Sequence, residues 1–225
     1  MDWSPLWISL KTAGAAIVIT FFLGIAAAWG VVNLENRRVK VILDGILTLP
    51  LVLPPTVAGF FLLEIFGVRR PLGRFFLEIF GLKIPFSWQA AVIAAVVMSF
   101  PLMYRSARGA FEQVNPDLMA AARTLGMGEW KIFYKVLLPN ALPGVASGTI
   151  LAFARGLGEF GATAMIAGNI AGKTRTLPMA VYTEVAAGNM DEACRYVLII
   201  LTVALLSISL MNWAAMGLDR GRGKE

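Results

Sequence analysis

Five long apolar stretches constrain this chain more than any other feature. A helix needs about 20 mostly apolar residues to cross roughly 30 Å of hydrocarbon, and most of the stretches reach that length. Of the 225 residues, 58% are hydrophobic and only 15% are charged. A water-soluble core of this size cannot bury so much apolar surface. The sequence therefore predicts an all-α polytopic membrane protein with about five transmembrane helices, at residues 13–32, 42–66, 88–104, 142–168 and 196–218.

The first stretch is also compatible with a cleaved signal peptide, because Ala26, Ala27 and Ala28 offer a small-residue cleavage site. Asp2, the single cation Lys11 and the length of the stretch favour a retained helix instead. A shorter amphipathic segment, residues 74–80, cannot span a bilayer and predicts an interfacial or re-entrant helix.

Several function classes are excluded by composition. The chain has no histidine and one cysteine, Cys194, which removes His-based triads, His metal sites and an internal disulfide. Residues 168–174 imitate a phosphate-binding loop but have three residues between the glycines where the motif needs four. We expect no catalytic, metal or cofactor site in this chain.

Orientation follows from the loop charges. Cytoplasmic loops carry an excess of Lys and Arg, and with five spans the excess falls on the loops after the first, third and fifth. The sequence thus predicts the N-terminus outside and the C-terminus in the cytoplasm. The long polar segment 105–140 is then cytosolic.

Segment 105–140 is predicted to form two short helices. Residues 115–117, Asn-Pro-Asp, resemble a helix start, and this helix is expected to reach Leu125. Glycines at 126 and 128 break it, and Glu129 opens a second helix. Two prolines are expected to end the second helix: Pro139 and Pro143. A DNA-reading helix–turn–helix is disfavoured, because membrane spans flank it on both sides.

This segment resembles the signature loop of ABC importer permeases, which is Glu-Ala-Ala, three residues, Gly, nine residues, Ile, any residue, Leu-Pro. Residues 120–126 and 136–139 match its spacing, with Ala120 in place of the glutamate and Val136 in place of the isoleucine. The glycine suits a tight reversal that needs positive φ. In the family this loop docks on an ATP-binding subunit. The resemblance implies that the coupling residues are Ala121, Ala122, Arg123, Leu125, Gly126, Glu129, Leu138 and Pro139.

Two of the apolar stretches contain residues that lipid disfavours. Pro50, Pro54 and Pro55 remove backbone donors and kink the second stretch, which predicts either a broken helix lining a pore or a packing kink. In the fourth stretch, Arg155 and Glu159 are four residues apart on one helical face. They predict either a functional site or an ion pair that fixes helix packing.

Over nearly its whole length the chain resembles the molybdate permease subunits of bacterial ABC importers. The resemblance is carried by residues 49–55, 98–103, 122–126, 151–163, 174–178 and 182–183. It implies one transmembrane domain over residues 1–225 with the type I importer fold, and a homodimer with the pore between subunits. It also implies an ATP-binding subunit inside, a molybdate-binding protein outside, residence in the inner membrane and no nucleic-acid partner.

The implied function is ATP-driven molybdate import by alternating access. Sulfate or tungstate import is the alternative within the class, and an ATP-independent channel or carrier is the alternative outside it. An oxyanion requires hydrogen-bond donors or positive potential along its path. The candidate pore or gate residues are Pro54, Pro55, Thr56, Ser99, Arg155, Glu159, Phe160 and Thr163.

Overall fold

The computed structural model describes residues 2–222, and every regular element among them is helical. A single π-helical turn, Phe133–Leu137, joins α7 to α8. The helices are α1 Ser4–Val32, α2 Arg37–Val52, α3 Pro55–Phe66, α4 Pro71–Phe80, α5 Trp88–Glu112, α6 Pro116–Thr124, α7 Glu129–Ile132, α8 Leu138–Leu157, α9 Gly161–Ile166, α10 Leu177–Ala186 and α11 Met190–Arg222.

Four helical rods in the described residues are long and apolar enough to cross a membrane. These are α1, α5, the continuous rod Glu129–Leu157 and the segment Met190–Trp213 of α11. Helices α2 and α3 supply a fifth span if the bent pair is counted as one. The predicted all-helical, multi-span architecture is therefore confirmed.

The second and fourth apolar stretches differ from simple spans. The second, 42–66, is divided between α2 and α3, whose axes turn by 113°. The fourth, 142–168, ends as a long helix at Leu157, and the short α9 follows after a break of three residues. The cause at the first break is backbone chemistry, because Pro54 and Pro55 lack the amide hydrogens that would continue the helix.

The predicted loop 105–140 consists of the ends of two long helices joined by residues 113–128. Residues 105–112 continue α5. Glu129 opens a continuous helical rod that ends at Leu157 and includes both Pro139 and Pro143. Our prediction that Pro139 and Pro143 end this helix is wrong. Pro139 follows the π-helical turn, whose hydrogen bonds span one residue more than those of an α-helix, and Pro143 lies inside α8.

Sequence reasoning also misplaced elements near the last span. Helix α11 begins at Met190, earlier than the predicted 196. Helix α10, Leu177–Ala186, lies in a segment that we expected to be a loop. Its ten residues were too few to stand out as a span. The amphipathic segment 74–80 is helical as predicted and forms most of α4.

Two clusters of small and apolar residues hold α1, α3, α5, α8 and α9 together. One, around the fully buried Met103, Tyr104 and Val145, joins α1, α5 and α8. The other joins α3, α5 and α9 around Ala94 and Ala162. Small side chains let helices approach closely, and the resulting van der Waals packing favours helix association in lipid.

Gly59 on α3 provides a direct test of this close packing. A Cβ atom at this position would lie 2.8 Å from both the Cα and the carbonyl oxygen of Ala162 on α9. We expect Gly59→Ala to destabilise the protein by about 1–3 kcal/mol, because backbone at that distance cannot yield cheaply. Unfolding in detergent measures this. Gly45→Ala on α2, where a Cβ meets nothing within 4 Å, is the matched control, and equal effects of the two would contradict the prediction.

Candidate functional site: a coupling surface and a buried ion pair

Helix α6 begins and ends as the sequence predicts. The Asn115 side chain accepts a hydrogen bond from the Asp117 amide at 2.9 Å, which caps the helix start. At the other end Gly126 adopts φ +76°, and its amide bonds to the Arg123 carbonyl at 2.9 Å. The chain thereby reverses tightly between α6 and α7.

An ion pair joins α6 to α7. Arg123 Nε and Nη2 donate to the two Glu129 carboxylate oxygens at 2.7 and 3.1 Å. The two hydrogen bonds hold the pKa of the Arg123 guanidinium above its ordinary value. Both side chains are more than half exposed, so the pair orients the turn but adds little stability.

The segment between α5 and α8 exposes apolar side chains. Leu125 is 81% exposed and Trp130 is 63% exposed. Five predicted coupling residues form one exposed patch, which we call the coupling surface: Ala121, Arg123, Leu125, Gly126 and Glu129. The other predicted coupling residues lie behind it. Ala122 is buried, and Leu138 and Pro139 are half-buried in the rod.

Aromatic packing attaches this segment to the bundle. The Trp130 ring lies 4.6 Å from the Trp29 ring at the end of α1, and Phe133 lies 4.9 Å from the same ring. The coupling surface is therefore fixed to both α1 and the long rod that starts at Glu129.

The predicted proline break is present. Leu53 and Pro54 adopt extended conformations between α2 and α3. The Pro54 carbonyl is satisfied by the amides of Val57 and Ala58, at 2.9 and 3.1 Å. Pro54 and Thr56 are exposed, and Pro55 is half-buried.

Arg155 and Glu159 form the predicted pair. Arg155 Nη1 lies 2.5 Å from Glu159 Oε2, and the Glu159 side chain is 1% exposed whereas that of Arg155 is 29% exposed. The second carboxylate oxygen of Glu159 accepts the Ala162 amide at 2.8 Å. Glu159 thus both pairs with Arg155 and caps the first turn of α9.

The remaining pore candidates lie at different depths. Ser99 is buried, and its hydroxyl lies 3.2 Å from that of Thr20 on α1 and donates to the Ala95 carbonyl. Thr163 is buried within α9. Phe160 is half-buried, with its ring 5.3 Å from that of Tyr182.

Sequence reasoning missed a charged network between α2 and α5. Asp44 accepts hydrogen bonds from Tyr104 and Arg108, and Arg108 Nε also donates to Glu112 at 3.0 Å. Lys40 lies 3.6 Å from Glu112. The sequence feature that could have revealed this network is Asp44, an acidic residue within an apolar stretch.

Comparison with known proteins assigns this arrangement to a family. Residues 20–221 match the family described as the binding-protein-dependent transport system inner membrane component. The chain belongs to this family. It is accordingly a multi-pass inner-membrane protein and the transport component of an ABC importer. ATP hydrolysis belongs to a partner subunit, and membership implies both an ATP-binding subunit and a substrate-binding protein as partners.

Relatives in several bacteria cover nearly the whole chain. It is 45% identical over 215 residues to the molybdenum transport system permease protein ModB of Escherichia coli strain K12, with 95% of this chain and 93% of that protein aligned. It is 37% identical to the ModB of Haemophilus influenzae, over 100% of this chain and 98% of that protein.

The fold is shared with a solved importer. A chain of the MetNI methionine ABC transporter, solved in an inward-facing conformation, superposes with a TM-score of 0.76, covering 97% of both chains at 19% sequence identity. This confirms the predicted ABC importer permease fold.

Proposed function

We propose that this chain is the permease subunit of an ATP-driven molybdate importer. The observation that carries the substrate is the 45% identity, over 95% of the chain, to a permease named for molybdenum transport. We further propose that two copies form the pore between them, and that the coupling surface faces the cytoplasm. The C-terminus then lies in the cytoplasm and the N-terminus outside.

A continuous helical rod links the coupling surface to the buried ion pair. The rod Glu129–Leu157 has 29 residues and spans roughly 40 Å at about 1.5 Å per residue. Glu129 at one end is held by Arg123 of α6, and Arg155 near the other end pairs with Glu159. Movement of a docked ATP-binding subunit is thereby carried to the break between α8 and α9.

We place the gate at this break. Glu159 caps α9, and α9 packs on α3 directly after the proline break. A shift of the rod therefore moves α9 and α3 together. Glu159, Phe160, Pro54 and Pro55 position these helix ends, while Ser99 and Thr163 hold the packing behind them.

The anion needs reachable positive charge and hydrogen-bond donors. Molybdate is a dianion at neutral pH, and binding along its path must be weak enough to release it. Of the candidate pore or gate residues, the donor Thr56 is exposed and the cation Arg155 is partly exposed. We propose these two as groups that meet the anion.

ATPase activity of the whole complex tests the function. The chain is reconstituted in proteoliposomes with its co-purified ATP-binding subunit, and the cognate binding protein is added empty or loaded. We expect molybdate or tungstate at low concentration to stimulate ATP hydrolysis several-fold, and sulfate not to. Preference for sulfate would overturn the substrate, and anion flux through this chain without any ATPase partner would overturn the ABC assignment.

A further inference from the structure

A cavity of about 610 Å³ lies between α5 and α8, beside the start of α6. Its polar lining consists of Arg105, Ser106, Gln113, Asn115, Asn140 and Ser147. Arg105 is its sole charged residue, and no carboxylate lines it in the part of the chain that the structure describes. The cavity is therefore rich in hydrogen-bond donors and has a positive potential.

Arg105 differs from the neighbouring arginine on the same helix. Arg108 forms ion pairs with both Asp44 and Glu112. Arg105 forms no ion pair or side-chain hydrogen bond with any residue in 2–222. It also lines an adjoining cavity of about 210 Å³ with Asp44 and Glu112, but the two negative charges there are already balanced by Arg108 and by Lys40, which lies 3.6 Å from Glu112. The local network thus leaves the charge of Arg105 uncompensated.

The space next to Arg105 is open at Gly109. This glycine lines both cavities, lies one helical turn after Arg105, and a Cβ added to it would meet nothing within 4 Å. The width of the 610 Å³ cavity is set by the close contact of Gly144 and Gly148 of α8 with Ala110 and Ser106 of α5.

We propose that this cavity is an oxyanion-binding site, in which Arg105 attracts a tetrahedral dianion and the surrounding amides and hydroxyls donate hydrogen bonds to it. The proposal rests on the proposed function and adds a second anion station, beside the coupling surface, after the gate. A water molecule occupies about 30 Å³, so the cavity admits the anion with much of its hydration shell. Binding is accordingly weak, as release into the cytoplasm requires.

Thiol labelling measures the potential and the occupancy of this cavity directly. The assembled complex carries Cys194→Ser, which removes the exposed native thiol, and Gly109→Cys as the reporter. Labelling rates are compared for an anionic sulfonate reagent and a neutral reagent of similar size, in nanodiscs of zwitterionic lipid. Adding Arg105→Gln should lower the anionic-to-neutral rate ratio about tenfold, a typical size for electrostatic attraction into a cleft.

Matched variants separate charge from structure. Arg105→Lys retains the charge and should keep most of the ratio. Arg37→Gln removes an equal charge from an exposed position at the start of α2 and should leave the ratio unchanged. Equal effects of Arg105→Gln and Arg37→Gln would overturn the proposal.

Protection of the reporter thiol against labelling identifies the ligand of the cavity. Millimolar molybdate or tungstate should slow labelling at Gly109→Cys, and Arg105→Gln should raise the half-protecting concentration at least about fivefold. Absence of protection by either anion would overturn the site. Protection by anionic lipid added to the nanodiscs, but not by molybdate or tungstate, would identify a headgroup phosphate as the ligand and also overturn it.

Transport by the same complexes without the reporter thiol separates this proposal from the proposed function. If the wild-type complex imports molybdate and Arg105→Gln lowers kcat/KM about tenfold, both stand. If the wild-type complex imports molybdate and Arg105→Gln is unchanged, the site alone fails. If no oxyanion is imported by the wild-type complex, the proposed function fails, whatever the labelling shows.

Discussion

Arg155→Ala is expected to destabilise the protein by about 3–5 kcal/mol, because it leaves the Glu159 carboxylate buried without its partner. The Glu159 side chain is 1% exposed, and its remaining hydrogen bond in the structure comes from the Ala162 amide. Unfolding in detergent, followed by loss of tertiary fluorescence, measures the change. Transport should fall with it, because the α8–α9 break loses its defined geometry.

A double variant distinguishes the buried charge from other effects of the truncation. Glu159→Gln removes the charge and still offers an oxygen to the Ala162 amide, so Arg155→Ala with Glu159→Gln should recover much of the lost stability. The coupling free energy of the cycle reports the pair itself. If the double variant is as unstable as the sum of the single ones, the pair does not hold the break together.

Leu125→Asp is expected to separate this chain from its ATP-binding subunit without unfolding it. Leu125 is 81% exposed, and substitutions at such positions usually change stability by less than about 0.5 kcal/mol. Removing an interface residue that contributes about 2 kcal/mol or more lowers the affinity for the partner subunit by roughly thirtyfold. Co-purification of the ATP-binding subunit and substrate-stimulated ATPase activity measure this loss, and we expect both to fall at least about tenfold.

The control for this prediction is Gln89→Asp. It adds the same charge at an exposed position near the start of α5, at the opposite end of that helix from the coupling surface. Retention of the ATP-binding subunit by Leu125→Asp, with normal stimulation, would show that the coupling surface is misassigned.

Local signals in the sequence predicted most of the coupling segment. The Asn115 cap, the positive φ of Gly126 and the break before Glu129 each depend on residues within a few positions of one another. The signature spacing then implied that this segment docks on a partner. The same local reasoning failed at Pro139 and Pro143, because the helix continues through a π-helical turn just before Pro139 and contains Pro143 in its interior.

The depth of the pore candidates was not predictable. Thr56 and Ser99 are both hydroxyl residues in apolar stretches, yet Thr56 is exposed and Ser99 lies against Thr20 of α1. Helical periodicity gives a residue's face but not which helix will cover that face. The contrast between Arg108, which pairs with Asp44, and Arg105, which pairs with no residue in 2–222, has the same origin, since it depends on Asp44 of another helix.

The sequence by itself determined that the chain is a helical membrane protein with about five spans and a coupling segment, because span length, prolines and caps act through nearby residues. Only the tertiary structure decided the 113° turn between α2 and α3, the burial of Glu159 and the cavity beside Arg105. These features arise where helices distant in sequence meet, and their geometry is set by how small residues such as Gly59 and Gly148 allow the rods to pack.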